Sequence, residues 1–347
     1  MSLSSTNPPW WRPDQFARRR PFLDIRQRVL RALRGYFDAQ DFAEVETPAL
    51  QISPGNEVHL HAFATAFVNP FTGERRVYYL HTSPEFSMKK LLVAGMPRIY
   101  QLAHVFRNGE SSSRHHPEFS MLEWYRAGAT LEDIKQDCIE LVRTAAKAAS
   151  LSHFSAQGIS CDPFLDWESL SVPDAFRRYA DIDLMATVGN AEALRQQMHS
   201  AGLRATEDDT WDDLFFRVMG EKIEPFLGKD RPTFLCDYPV SMAALARPKR
   251  DDPRLADRFE LYICGYELAN AFDELTDAEE QARRFAADML EKRKLYSEEY
   301  PVDADFIAAL RHGMPESSGI ALGFDRLVML CAGTEEIEDV VWVSVQS

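Results

Sequence analysis

Cysteine is sparse and unpatterned. The 347 residues hold five, Cys138, Cys161, Cys236, Cys264 and Cys331, and no two form a C-x-x-C pair. That excludes a disulfide framework and a cysteine-ligated zinc site. No apolar run approaches the ~20 residues of a membrane span, and no apolar segment of signal-peptide type follows the N-terminus. The chain therefore reads as cytoplasmic, with no membrane partner. Positive charge is also short: 39 Lys and Arg stand against 54 Asp and Glu, a net charge of −15. Phosphate contacts need concentrated Lys and Arg, so general nucleic-acid binding is disfavoured. The one basic region runs from Arg12 through Arg18, Arg19 and Arg20 to Arg26, Arg28, Arg31 and Arg34, and reads as a solvated helix face. His59, His61, His81 and His104 lack ligand spacing and read as ordinary strand histidines. No repeat or low-complexity segment is present.

Hydrophobic residues make up 45% of the chain, enough for a substantial core. Residues 1–21 read as an N-terminal arm and 22–347 as one large domain. Ile25, Val29, Leu33 and Phe37 recur at a four-residue step, which predicts an amphipathic helix from Phe22 to Phe42. A short strand then ends at Pro48. Strands are predicted at 77–80, 98–106, 118–126, 233–238, 259–262, 268–274 and 319–323, and helices at 83–92, 130–149 and 325–331. A Thr276–Glu279 capping box opens a further helix to about Tyr300. Residues 150–232 read as a mostly helical insertion without recognisable chemistry. Hairpin pairs imply an antiparallel sheet flanked by helices, an α+β fold.

Three separated segments share a theme. Residues 106–125, FRNGESSSRHHPEFSMLEWY, place Phe119, Met121, Glu123 and Tyr125 on one strand face, because side chains alternate. Such a face can stack a base at one end and hold a cation at the other; an amphipathic hairpin with an aromatic core face would show the same pattern. Residues 258–274 add Glu260, Glu267, Asn270 and Glu274, and residues 319–326 add glycines beside a strand and Arg326. Together they offer two arginines for phosphate, acids for a divalent cation, and spare carboxylate for an ammonium ligand.

Together with the strand that ends at Pro48, these segments resemble the class II aminoacyl-tRNA synthetase core, lysyl type, with its three ordered motifs. Glu44–Pro48 is similar to motif 1, Phe106-Arg107 with His115–Phe119 to motif 2, and Gly319–Arg326 to motif 3. Only about 20 residues precede the first core helix, too few for the anticodon-binding barrel of lysyl-tRNA synthetases. The resemblance is thus to the stand-alone paralogues that modify elongation factor P, and tRNA is an unexpected acceptor. It implies activation of (R)-β-lysine with ATP, transfer to a lysine of elongation factor P, Mg²⁺ as cofactor, and a homodimer formed through motif 1. The rival readings are a truncated enzyme that charges tRNA or activates L-lysine, and a catalytically silent paralogue.

The resemblance also implies residue roles. Arg107 grips the α-phosphate and the substrate carboxylate, and Arg326 the γ-phosphate. Phe119 and Arg326 sandwich the adenine. Glu260 and Glu267 hold Mg²⁺, and Gly323 lets the backbone approach the nucleotide. Main-chain groups near Asn108, His116 and Leu268 read adenine and ribose. Ser83, Pro84, Glu85, Glu123, Tyr125, Asn270, Phe272 and Glu274 line the amino-acid pocket, with Glu274 and Tyr125 on the distal ammonium. The chain departs from the family at Gly109, where a motif 2 glutamate is usual and Glu110 follows, and at His115-His116, where His-Asn is common. Ala321 replaces a usual glycine, and its methyl is read as favouring the β-amino isomer. Glu57, Asp273 and Asp277 read as surface ion pairs.

Overall fold

A computed structural model describes residues 10–345. The first helix, Pro13–Ala39, begins well before Phe22 and takes in residues 13–21 of the expected arm; residues 1–9 lie outside the described residues. Pro13 suits a first helical turn, where a missing N–H costs nothing. Leu23, Val29, Leu33 and Phe37 are buried within the chain's own core, so this apolar stripe is already covered.

Eight strands form the central sheet, in the spatial order Ala43–Glu44, Arg98–Phe106, Glu118–Ala127, Ser317–Gly323, Tyr266–Asp273, Leu255–Ile263, Thr233–Pro239 and Glu168–Ser171. The inner pairs are antiparallel, as expected. Both edge strands pair in parallel, so the sheet is mixed. The outermost strand comes from residues 150–232, which are not mostly helical: Phe154–Ala156, Ile159–Cys161 and Glu168–Ser171 are strands. The helices Val172–Ala180, Ala191–Ser200 and Trp211–Val218 then pack a second core around Phe176, Phe215 and Leu235. The Ala278–Tyr296 helix is capped by Asp277, which accepts from the N–H groups of Glu279 and Glu280, so Thr276 is not the cap.

One sheet face packs on the main core through Leu122, Trp124, Ile320 and Leu322, against the Pro13–Ala39 and Leu131–Ala148 helices. Trp124 Nε1 and Arg126 both donate to the buried Asp137 of the second helix, as does the Tyr36 hydroxyl of the first. The opposite face carries the polar residues. Arg26 is not solvated. It is 8% exposed, ion-paired with Asp325, and donates to Ser120 Oγ at 2.8 Å and the Val340 carbonyl at 3.1 Å. Asp325 also accepts from the Ser120 N–H at 2.7 Å, so one buried carboxylate ties the first helix to the residue before Arg326. Removing one member of a buried pair strands the other's charge. Arg26→Ala is expected to cost about 3–5 kcal/mol in urea denaturation; a loss below about 1 kcal/mol would show that the pair organises nothing.

Candidate active site

Strand register sets out the polar face. Glu123 lies opposite Gln101 on one side and Ala321 on the other; Ala321 lies opposite Asn270, and Asn270 opposite Glu260. The next row runs Tyr125, Gly319, Phe272, Arg258. Above this face a cleft of about 540 Å³ opens, lined by residues of the expected motifs 2 and 3 and of the 258–274 segment, whereas Glu44–Pro48 lies outside it. Its two ends differ in charge.

At the basic end, Arg107 and Arg326 face Phe119 and Glu267. The Arg107 guanidinium lies over the Phe119 ring at 5.2 Å, and its nearest carboxylate, Glu110, is 3.7 Å away. Arg107 Nε is buried without a hydrogen-bond partner, and the side chain lines the cleft. Arg326 donates to the Glu267 carbonyl at 2.8 Å and meets His115 Nε2 at 2.6 Å. Burial, followed by the Arg326 charge, lowers the His115 pKa, so the ring is neutral and accepts from Arg326. Gly109 has φ +87°, a turn that leaves Glu110 lining the cleft.

Several expected nucleotide contacts are not so placed. Asn108 and Gly109 lie on the exposed loop rather than in the cleft wall, and the Asn108 N–H is taken by the His61 carbonyl at 2.7 Å. His116 does line the cleft, with its ring held by the Glu118 carbonyl at 2.6 Å and the Val345 N–H at 3.1 Å. Leu268 lies there too. A methyl on Gly323 would meet only Arg326 side-chain carbons at 3.6 Å or more, so no protein atom demands glycine there. Gly319 is different: a methyl would stand 2.2 Å from the Tyr125 ring.

Glu260 is saturated. It pairs with Arg258 at 2.5 Å and accepts from the hydroxyls of Tyr238 at 2.5 Å and Tyr262 at 2.7 Å. Arg258 also donates to Asn270 Oδ1 at 3.1 Å. The Glu267 side chain is open to the cleft, and its pKa is raised, first by desolvation between the cleft walls and then by the charge of Glu260.

At the opposite end, Ser83, Glu85, Asn270, Phe272 and Ala321 line the cleft. Pro84 does not; it caps the Glu85–Val93 helix. Glu123, Tyr125 and Glu274 are buried behind the wall, 0–3% exposed. Glu274 is therefore not free for a distal ammonium. Lys89 Nζ stands 2.5 Å from it and also pairs with Glu85, though neither Glu274 oxygen has an aligned hydrogen bond. Burial disfavours the Lys89 charge, but Glu274 and Glu85 outweigh it and keep the ammonium protonated. Glu123 accepts from Ser83 Oγ at 2.5 Å and the Tyr125 hydroxyl at 3.1 Å.

The cleft also takes Glu57 and His59, read from the sequence as a surface ion-pair member and an ordinary strand histidine, and three residues the sequence did not single out: Asp212 and Phe216 of residues 150–232, and Asp288 of the Ala278–Tyr296 helix. Asp212 and Asp288 sit on amphipathic helices whose polar faces give no local sign of lining a cleft. Glu57 lies in an irregular segment that only the fold brings back to Arg107.

Burial, and then the charge of Glu85, push the Glu123 pKa up to about 8 from its ordinary 4.5. Between those values the native state holds a proton that the unfolded chain has released, so stability falls as pH rises through this window. Glu123→Gln is expected to flatten that fall and to be more stable than the wild type near pH 8; parallel stability–pH curves would mean that Glu123 is ionised in the folded protein.

The family model for "tRNA synthetases class II (D, K and N)" matches residues 16–344. Among curated proteins, the elongation factor P–(R)-β-lysine ligase of Yersinia enterocolitica is 38% identical over 91% of this chain and 92% of its own length. The ligase of the same name from Klebsiella pneumoniae strain 342 is 39% identical over 94% and 95%, and that of Haemophilus ducreyi is 38% identical over 92% and 93%. The chain belongs to the class II tRNA synthetases of the D, K and N type.

Proposed function

We propose that the protein is an ATP-dependent ligase that activates (R)-β-lysine as its adenylate and transfers it to a lysine of elongation factor P. The names of its relatives support this reading, and the cleft-lining Arg107 guanidinium, with Nε unpartnered and its nearest carboxylate 3.7 Å away, is the observation that carries it chemically. Joining a carboxylate to the α-phosphate of ATP brings two anions together, so charge must be offset where they meet. Arg107 supplies that charge on a side chain already fixed over Phe119. Arg326, oriented by neutral His115 and the Glu267 carbonyl, takes the distal phosphates and the second adenine face. The carboxylate of Glu85 that faces the cleft receives an amino group of the substrate, while Lys89 holds it in place from behind. The Ala321 methyl in the floor disfavours the α-amino isomer.

Magnesium fits one of its two expected ligands. Among the described residues no cluster of three or more acidic, His or Cys side chains is arranged for a cation. Glu267 presents a free carboxylate, whereas Glu260 would have to give up a donor. Glu267 would therefore hold Mg²⁺ together with triphosphate oxygens, and the ion would neutralise phosphate charge.

We also infer a homodimer, with a different contact from the one expected. The apolar stripe of the first helix is already covered, but the Ala64–Val68 and Arg75–Leu80 hairpin exposes Phe67, Val68, Phe71 and Val77, the last two by 94% and 61%. The register puts Val68 and Val77 on one face of this hairpin and Phe67 on the other, and exposed apolar side chains on both faces mark an interaction site. Sedimentation at micromolar concentration is expected to give twice the chain mass, and Phe67→Lys with Val77→Lys the single mass; a wild-type monomer would contradict this.

The direct test of the function is mass spectrometry of elongation factor P after incubation with the protein, ATP and (R)-β-lysine. The expected product carries one β-lysyl residue on a lysine. Robust lysylation of tRNA with elongation factor P unlabelled would overturn the reading.

A further inference from the structure

We propose that Glu57 is the general base of the transfer step, and that Asp212 and Asp288 beside it form the entry for the acceptor ammonium. The proposal rests on the ligase reading above and adds the second half-reaction to it.

The first half-reaction calls on Arg107, Arg326, Phe119 and Glu85 and leaves one wall of the cleft unused. Glu57 lines that wall, and its carboxylate makes no hydrogen bond or ion pair among the described residues. The charged groups around it are Arg107 after its strand, Glu85 on its helix, Arg258 on the sheet, and Lys292 and Asp288 on the Ala278–Tyr296 helix. It thus faces the guanidinium where carboxylate and α-phosphate are joined, with acids on its other side. Asp212 adds to these acids, next to His59 and Glu291.

The position is rigidly held. Lys292, fully buried, donates to the carbonyls of Val58 at 2.9 Å and Leu60 at 2.7 Å, and its ammonium lies 4.8 Å from the Tyr300 ring centre. The Tyr300 hydroxyl accepts from the Ala62 N–H at 2.9 Å, and the His61 carbonyl accepts from the Asn108 N–H, one residue past Arg107. Glu57 and Arg107 are thereby clamped to one scaffold, as a reacting pair of groups requires. A buried lysine committed to the backbone carbonyls of Val58 and Leu60 in one loop is a costly fixture for a solvated surface ion pair.

The chemistry needs a base. A lysine side chain arrives as an ammonium and cannot attack until it loses a proton. Glu57 is open to the cleft, where desolvation by the surrounding walls raises its pKa, with Arg107 opposing, and burial followed by the Glu57 charge pushes Asp288 up to about 6. Carboxylates with raised proton affinity are suited to taking that proton. The ε-ammonium gives one proton to Glu57. The freed nitrogen lone pair attacks the acyl carbon, and the N–C bond forms as the acyl C–O bond breaks. AMP leaves with that electron pair, and the second nitrogen proton passes to solvent. The same acidic wall repels the phosphodiesters behind a tRNA terminal hydroxyl, which favours a protein amine as acceptor.

The test uses adenylate preformed on the full-length enzyme and mixed with either elongation factor P or hydroxylamine, a nucleophile already neutral at neutral pH. Glu57→Gln is expected to slow transfer to elongation factor P about 100-fold, to leave hydroxylamine capture unchanged, and to regain transfer as rising pH deprotonates the acceptor. Equal losses with both nucleophiles, no loss with either, or a variant unable to form the adenylate would each overturn the Glu57 role alone. Absence of adenylate on the wild-type enzyme would overturn the ligase reading and the Glu57 role with it.

Discussion

The cleft depends on the register of five antiparallel strands. Side chains alternate, so a one-residue slip would turn Glu123, Ala321, Asn270 and Glu260 into the core and bring Leu122, Trp124 and Ile320 to the surface. The apolar face pins that register, because Trp124 and Leu122 have no other place to go. The Trp124, Arg126 and Tyr36 donors on Asp137 lock it from the helix side. Gly319 adds a local constraint, since only glycine leaves room for the Tyr125 ring opposite.

Two charged clusters hold that scaffold to its helices, and each reaches the cleft wall through one carboxylate, Asp325 in the first and Glu85 in the second. Asp325 gathers Arg26, the Ser120 N–H and the start of the motif 3 helix, which fixes where Arg326 begins. Lys89 sits between Glu85 and Glu274 and sets the height of Glu85 at the cleft wall. Burying such groups stabilises little by itself, but losing one partner is expensive, and so the geometry is specified sharply. The result is a cleft with arginines at one end and carboxylates at the other, which suits a ligand whose phosphate and ammonium groups are far apart.

The motifs were legible because each is compact in the chain. Phe106–Tyr125, Arg258–Glu274 and Gly319–Arg326 are strand segments whose alternation shows what faces what. The parallel edges were not legible, because Ala43–Glu44 and Glu168–Ser171 are short strands paired with distant partners. Glu274 looked available because its neighbours in sequence do not reveal Lys89, which approaches from another helix. Glu57 looked like a surface acid because its segment has no periodicity, and only the Lys292 clamp shows that it is held. Residues 150–232 looked inert because Asp212 and Phe216 reach the cleft only after that segment folds onto the sheet edge.

The central claim is the polarity of the cleft, with nucleotide at the arginine end and amine at the carboxylate end. A crystal structure with a non-hydrolysable sulfamoyl analogue of β-lysyl adenylate tests it most directly. The account predicts the adenine against Phe119 and Arg326, the sulfamoyl group at Arg107, and an amino group at Glu85. An analogue bound in the reverse sense, or outside the cleft, would contradict it.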